Sequence, residues 1–411
     1  MKRPTVASRK TLTPENLANL GAERLAEILM RAADGRAELK RQLRMELAAA
    51  QGAPHLLLEI DKRIAVLETG RSKISWRQRP TFVRDLDILR ILISERLAAL
   101  DAPAALQRLW PFMALARRLS PRVRDPDGGL EAVFDRAAED IGALMRQAGE
   151  ASLADDLAEA LVRDTARWTT WLPLVLDQAP QGVAKGALAR LTADKGPGPI
   201  VIGLVRQLAD AAGNIDIFQA TFSPAMLRTP AIAAELGRRL IAAGRLKEAG
   251  ERLKAAKNVA SEPDFAWESV WIDYLDQSGQ EAEAQAVRWA SFERTLSVER
   301  ARAFTRRLTD FQDVEAEGRA FDHAARHPDF PRGLRFLMDW PALPEAARMI
   351  ETRADEIKAP YAETEAWAAR LRVRQPKAAL LLLRKTAAAA FARRDLATCE
   401  RLTQEADSIE V

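Results

Sequence analysis

Apolar residues recur along most of this chain at intervals of three and four, the spacing that lines one face of an α-helix. Near the start, Thr13-Pro14-Glu15 combines a capping hydroxyl, a proline suited to the first helical position and an acid facing the positive dipole end. Leu17, Leu20, Leu25, Ile28 and Leu29 follow at helical spacing, and Gly21 divides the run. Longer amphipathic helices are predicted over 36–50, 55–67 and 81–100, the last with Phe82, Leu86, Leu89, Ile93 and Leu97 as its buried stripe. A helix over 104–119 leads into a break at 120–129 rich in Pro, Gly and Asp. Helices resume at 130–147, 153–167, 172–178 and 182–192, before the punctuation of Gly196-Pro197-Gly198-Pro199.

Beyond that point the spacing becomes regular. A helix over 234–242, a turn at Gly244-Arg245 and a returning helix over 246–256 form one hairpin. A second hairpin, 267–277 and 281–290, turns at Gly279, thirty-five residues after Gly244. A period of about 34 residues in helix–turn–helix units marks a tetratricopeptide-like solenoid. Pro331, Pro341, Pro344, Pro360 and Pro376 fall near the starts of further helices. The expected fold is all-α: a solenoid of roughly twenty helices packed as hairpins on their neighbours. Three regions are expected: a flexible basic tail at 1–12, an irregular helical half at 13–195 and a tetratricopeptide-like half at 200–411.

Composition agrees with the periodicity. Hydrophobic residues make up 48% of the chain but aromatics only 6%, so Ala and Leu carry most of the apolar surface, which suits helix packing and not sheet. One cysteine, Cys399, excludes an internal disulfide framework and a cysteine-based zinc site. The basic start lacks the apolar stretch of a secretory signal, and no run approaches the ~20 residues of a membrane span. A cytoplasmic protein without a membrane partner is expected. Charge is uneven: residues 1–100 carry 19 Lys and Arg against 12 Asp and Glu, a net +7 in a chain of +4. Lys2, Arg3, Arg9 and Lys10 form one cluster, and Arg71, Lys73, Arg77 and Arg79 form another around Trp76. A basic end of this kind can bind nucleic acid, with Trp76 stacking on a base; a solvated tail and a charged inter-helix loop have the same composition.

Few residues suggest chemistry. His323 and His327 stand one helical turn apart, as zinc-binding pairs do, with Asp322 and Asp329 nearby, but Ala324 occupies the position where a metalloprotease carries its glutamate. Asp125, Asp127 and Glu131 surround Pro126 and Gly128-Gly129, where three carboxylates could gather on a hard divalent cation. The same residue types make an ordinary helix-to-helix turn. Gly196–Pro199 has no downstream Lys-Ser/Thr pair and is not a phosphate loop. Trp168/Trp171 and Trp267/Trp271 have the spacing of core anchors. The arginine doublets 117–118, 238–239, 306–307 and 393–394 fall where helix C-termini welcome cations. No nucleophile elbow, catalytic dyad or cofactor motif stands out, so no cofactor or resident metal is expected.

Several short stretches carry a resemblance: Thr11-Leu12-Thr13-Pro14-Glu15-Asn16-Leu17, Leu20–Leu25, residues 122–129, Arg288-Trp289 with Phe292–Ser297, Asp310–Glu317, His327–Phe330 and Phe336–Pro341. Through them the chain resembles, over most of its length, an uncharacterised bacterial helical family, a domain of unknown function related to regions found C-terminal to SWIM-type zinc fingers. The resemblance implies a helical fold and transfers no site residue; zinc-finger cysteines are absent from this chain. The expected function is a non-catalytic scaffold that holds a protein or peptide in its groove. The alternative is nucleic-acid binding through the basic N-terminal region.

Overall fold

A computed structural model describes residues 11–147, 153–193, 201–257 and 264–410. They are overwhelmingly α-helical, and among them there is no strand, only an isolated bridge between Ile74 and Val123. The chain divides into two compact units, residues 1–222 and 223–411. The helices on either side of the division expected near 195–199, Gln181–Thr192 and Ile202–Ala211, pack together within the first unit. Gly196–Pro199 itself and residues 1–10 lie outside the described residues.

Within each unit the principal contacts join helices one or two places apart in the chain, counting 79–100 as one helix. That nearest-neighbour pattern defines stacked hairpins, in which no hairpin buries its apolar face without the next. The two hairpin turns predicted from glycine spacing are built alike. Gly244 and Gly279 both take positive φ, +73° and +74°. The N–H of Arg245 then reaches the Leu240 carbonyl at 2.8 Å, and that of Gln280 reaches Leu275 at 2.9 Å. This is the left-handed helix cap for which glycine is the natural residue. The 390–395 turn makes the same bond, Asp395 N–H to Ala390 carbonyl at 3.0 Å, with Arg394 at φ +62° in place of glycine.

The first unit contains helices Ala37–Gln51, Ala53–Thr69, Arg79–Leu100 (with a π-helical stretch at Leu92–Leu97), Ala102–Leu119, Gly129–Met145, Leu153–Arg163 and Thr165–Gln178. In the third of these, Leu86, Leu89, Ile93 and Leu97 are buried as the periodicity requires, whereas Phe82 is only half-buried. Ion pairs stitch these helices: Asp85, nearly buried, accepts from both Arg41 and Arg63, and Arg90 bonds Asp87 and Asp140. Burial pushes the Arg63 guanidinium below its ordinary value despite Asp85 beside it.

One expectation needs correction. The helix predicted over 153–167 stops at Arg163, and a new one begins at Thr165 and runs through Pro173, so no helix starts at 172. Proline normally forfeits the bond to the carbonyl four residues back. Here that carbonyl, on Thr169, accepts instead from Gln207 Nε2 at 3.1 Å. Near the start, Gly21 does divide the run into two helices, Pro14–Ala18 and Ala22–Ala33, which bury between them only Ala33 and leave Leu17, Leu20, Ile28 and Leu29 exposed. Thr13 does cap the first helix, accepting from Asn16 N–H at 3.2 Å.

The second unit runs from Pro230–Ala242 through Leu246–Lys257, Phe265–Gln277, Glu281–Thr295 and Val298–Thr305 to Leu396–Asp407. A continuous apolar core extends from Phe292 to Ile409. All four tryptophans of the paired motifs are buried, Trp168 and Trp171 in the first unit and Trp267 and Trp271 in the second.

Candidate functional site

The loop 70–79 leaves the helix Ala53–Thr69 and is held by the loop 120–129. Arg122 spans the two, donating from Nε to the Ser72 carbonyl at 3.0 Å and from a terminal nitrogen to the Leu67 carbonyl at 3.1 Å. Its guanidinium lies so close to Gly70 that a Cβ there would sit 2.9 Å from it. Ile74 N–H donates to the Arg122 carbonyl at 3.0 Å. Ser75 and Gln78 close a reciprocal turn: the Ser75 N–H and hydroxyl both donate to Gln78 Oε1, at 3.3 and 2.9 Å, and Gln78 N–H returns to the Ser75 carbonyl at 3.0 Å. That turn immediately precedes the Arg79–Leu100 helix, whose first residue follows Gln78. Trp76 stands at the apex, 74% exposed, with the Arg77 guanidinium 5.1 Å from its ring centroid.

The structure joins the two loops that the sequence analysis treated separately. Arg79 pairs with Asp127 and donates to the Arg124 carbonyl at 3.2 Å, so it does not share the free exposure of Arg71, Lys73 and Arg77. The three carboxylates of the 125–131 stretch have separate duties. Asp125 accepts the N–H groups of Gly129 and Leu130 at 3.1 and 2.7 Å, capping the next helix. Asp127 takes Arg79, and Glu131 meets the Ser120 hydroxyl at 3.4 Å. The histidines are likewise engaged with backbone. His323 Nε2 lies 2.9 Å from the Glu293 carbonyl, and His327 accepts from Asp329 N–H at 3.1 Å, with 6.5 Å between the two ring centres. Among the described residues no three His, Cys, Asp or Glu side chains converge to hold a metal ion.

A cleft that the sequence analysis missed opens between the helices Ala102–Leu119, Leu153–Arg163 and Thr165–Gln178. Its volume is about 400 Å³. Trp110, Met113, Trp168 and Trp171 supply an apolar floor, and Arg117, Arg118, Arg163, Glu68, Asp156 and Glu159 give a rim of both signs. Trp110 and Trp168 lie 5.8 Å apart, and Trp168 meets Trp171 edge-on at 5.7 Å. Arg163 is paired with Glu159, whereas no ion pair holds Arg117, Arg118 or Asp156 among the described residues. Burial, then Glu159 and Asp155, pushes the Asp156 carboxyl up. Trp168 and Trp171 were legible as core anchors; that one edge of this core stays open depends on Trp110, fifty-eight residues away.

A second unforeseen feature is the buried charge on the helix Phe265–Gln277. Glu268 accepts from the Ser291 hydroxyl at 2.8 Å and from Arg294. Asp276 bonds the buried Arg288 and, at 3.1 Å, Arg307. Arg300, also buried, donates to the Phe265 carbonyl at 3.1 Å and lies over the Phe265 ring, and burial pushes its guanidinium down. The visible signal was a glutamate wedged between Trp267 and Trp271 on an apolar face.

These features define an all-helical protein of stacked hairpins. The chain belongs to a family of unknown function, DUF6880, whose model matches residues 7–186 and 198–405. No curated protein matches the chain. Among solved structures it is similar to a circular tandem repeat protein with novel repeat topology and enhanced subunit contact surfaces, at 14% identity over 96% of this chain and 87% of that one. The TM-score of 0.20 is too low for that likeness to say anything about this fold. No helix among the described residues is long and apolar enough to cross a membrane.

Proposed function

We propose that the protein is a non-catalytic helical-repeat scaffold that binds a protein or peptide segment, with the cleft of the first unit as the centre of the binding groove. The observation that carries this reading is the lining of the cleft, an aromatic floor inside a rim of charges of both signs. Protein interfaces have that anatomy, with tryptophan and arginine supplying most of the energy at the centre. An apolar side chain of the partner would rest on the half-buried Trp110, which the buried Trp168 backs, while Arg117, Arg118 and Asp156 set its register. A stacked-hairpin framework suits the task because it presents side chains from successive helices on one surface.

The test is a photo-reactive residue placed at Ala114, which lines the cleft. The expected result is one cross-linked protein partner, lost when Trp110 is changed to Ala and retained when the probe-bearing chain is otherwise intact. Cross-links that are unaffected by Trp110→Ala, or that match those of a probe at exposed Leu396 in the other unit, would overturn the reading.

A further inference from the structure

We propose that the paired loops 70–79 and 120–129 form a docking site for single-stranded nucleic acid, with Trp76 stacking on a base and Arg71, Lys73, Arg77 and Arg124 holding phosphates. The site is independent of the cleft and its peptide. Together the two loops contain six cations, Arg71, Lys73, Arg77, Arg79, Arg122 and Arg124, against two carboxylates, Asp125 and Asp127. The acids are occupied: Asp125 caps a helix, and Asp127 neutralises Arg79. Arg122 is spent on the Ser72 and Leu67 carbonyls. Arg71, Lys73, Arg77 and Arg124 remain, all exposed and none in an ion pair among the described residues. The structure therefore replaces Arg79 with Arg124 in the set that the basic cluster alone suggests.

The loop is also stiff. The Ile74–Val123 bridge, the Arg122 staples and the Ser75–Gln78 turn fix the backbone on both sides of Trp76. A large aromatic ring held 74% exposed on a rigid turn loses little entropy when it is covered. Arg77 lies against the ring and leaves its remaining surface to solvent. An acidic protein segment would satisfy the cations but leave the indole without a planar partner. Duplex DNA or RNA has its bases already stacked; only an unpaired strand offers both a free π-face and phosphates.

Fluorescence anisotropy with a labelled twenty-nucleotide oligothymidylate, using the full chain, tests this. Four phosphate contacts on a single strand predict that affinity falls about fiftyfold between 50 and 200 mM salt. Trp76→Ala should weaken binding at least about fivefold, and Trp76→Phe should retain most of it. The combined Arg71→Ala/Lys73→Ala/Arg77→Ala/Arg124→Ala variant should flatten the salt dependence, whereas the duplex of the same length should bind more weakly than the single strand. Because Trp76 is so exposed, Trp76→Ala keeps the test sound even if the fourfold variant folds poorly. Absence of binding at 50 mM salt, or affinity unchanged in Trp76→Ala, overturns the proposal. Polyglutamate that competes as tightly as the oligonucleotide also overturns it, in favour of an acidic protein segment.

Discussion

The same substitution, glycine to alanine, should have opposite effects at two helical sites of the second unit. Gly318 is exposed in the helix Gln312–Arg326, and an added Cβ would meet nothing within 4 Å. There the only consequence is helix propensity, so Gly318→Ala should stabilise by about 0.5–1 kcal/mol. Gly333 is buried in the next helix, Phe330–Asp339, at the crossing of the two. Its Cβ would lie 2.2 Å from the Ala324 carbonyl oxygen and 3.1 Å from the Met349 methyl, when ordinary contact begins at 3.4 Å. The methionine can rotate away, but the Ala324 carbonyl belongs to the backbone of the last helical turn, where it accepts the His327 N–H at 3.2 Å, so the helices must separate by about 1 Å. Overpacking of this kind costs about 1–3 kcal/mol or more, and propensity returns at most about 1, leaving a net loss of about 2 kcal/mol. The two variants should therefore differ by roughly 3 kcal/mol, a factor of about a hundred in the local folding equilibrium. Hydrogen exchange of the 312–339 amides measures this within the unit concerned, and urea unfolding by circular dichroism gives the order of the variants. Equal protection in Gly333→Ala and wild type, or a loss of protection in Gly318→Ala, would refute the reasoning.

Two further predictions concern charges. Removing the buried Glu268 leaves Ser291 and Arg294 without their partner, so Glu268→Ala should destabilise the second unit by about 3 kcal/mol. A double-mutant cycle with Arg294→Ala should show coupling well above that of the exposed Arg24–Glu27 pair, and additive effects would count against a working network. Burial raises the Asp87 carboxyl, but the hydrogen bonds and charges of Arg90 and then Arg136 outweigh it and hold the group below its ordinary value. A depressed carboxyl stabilises above its unfolded pKa and loses that contribution as pH falls through the folded one, here below about pH 4. Asp87→Asn should thus be less stable than wild type at neutral pH, with a gap that closes in acid; a gap independent of pH would contradict the pairing.

Much of the secondary structure was legible, since its causes lie within a few residues. The hairpin turns at Gly244 and Gly279 could be read because glycine takes positive φ without strain, whereas at the equivalent turn the Arg393-Arg394 doublet marks a helix end but nothing in it announces that Arg394 takes positive φ. The break at Asp164 and the helix that runs through Pro173 were misread for a related reason. A proline reads as a stop until a distant side chain, Gln207, is seen to take the abandoned carbonyl. Leu17, Leu20, Ile28 and Leu29 show that periodicity states which face is apolar, not whether anything covers it.

What the sequence by itself determined is the all-helical class and the hairpin period, because helix bonds span four residues and caps span six. The neighbour rule of stacked hairpins then followed, since an amphipathic helix must find its cover close by. Which functional groups meet was decided only in three dimensions. Arg79 and Asp127 stand forty-eight residues apart, yet their pairing removes one cation from the exposed cluster and one carboxylate from any cation site. Trp110 reaches Trp168 across a helix crossing, and Glu268 reaches Arg294 across a turn. Such meetings depend on how side chains pack at the crossings, and no local propensity encodes that geometry.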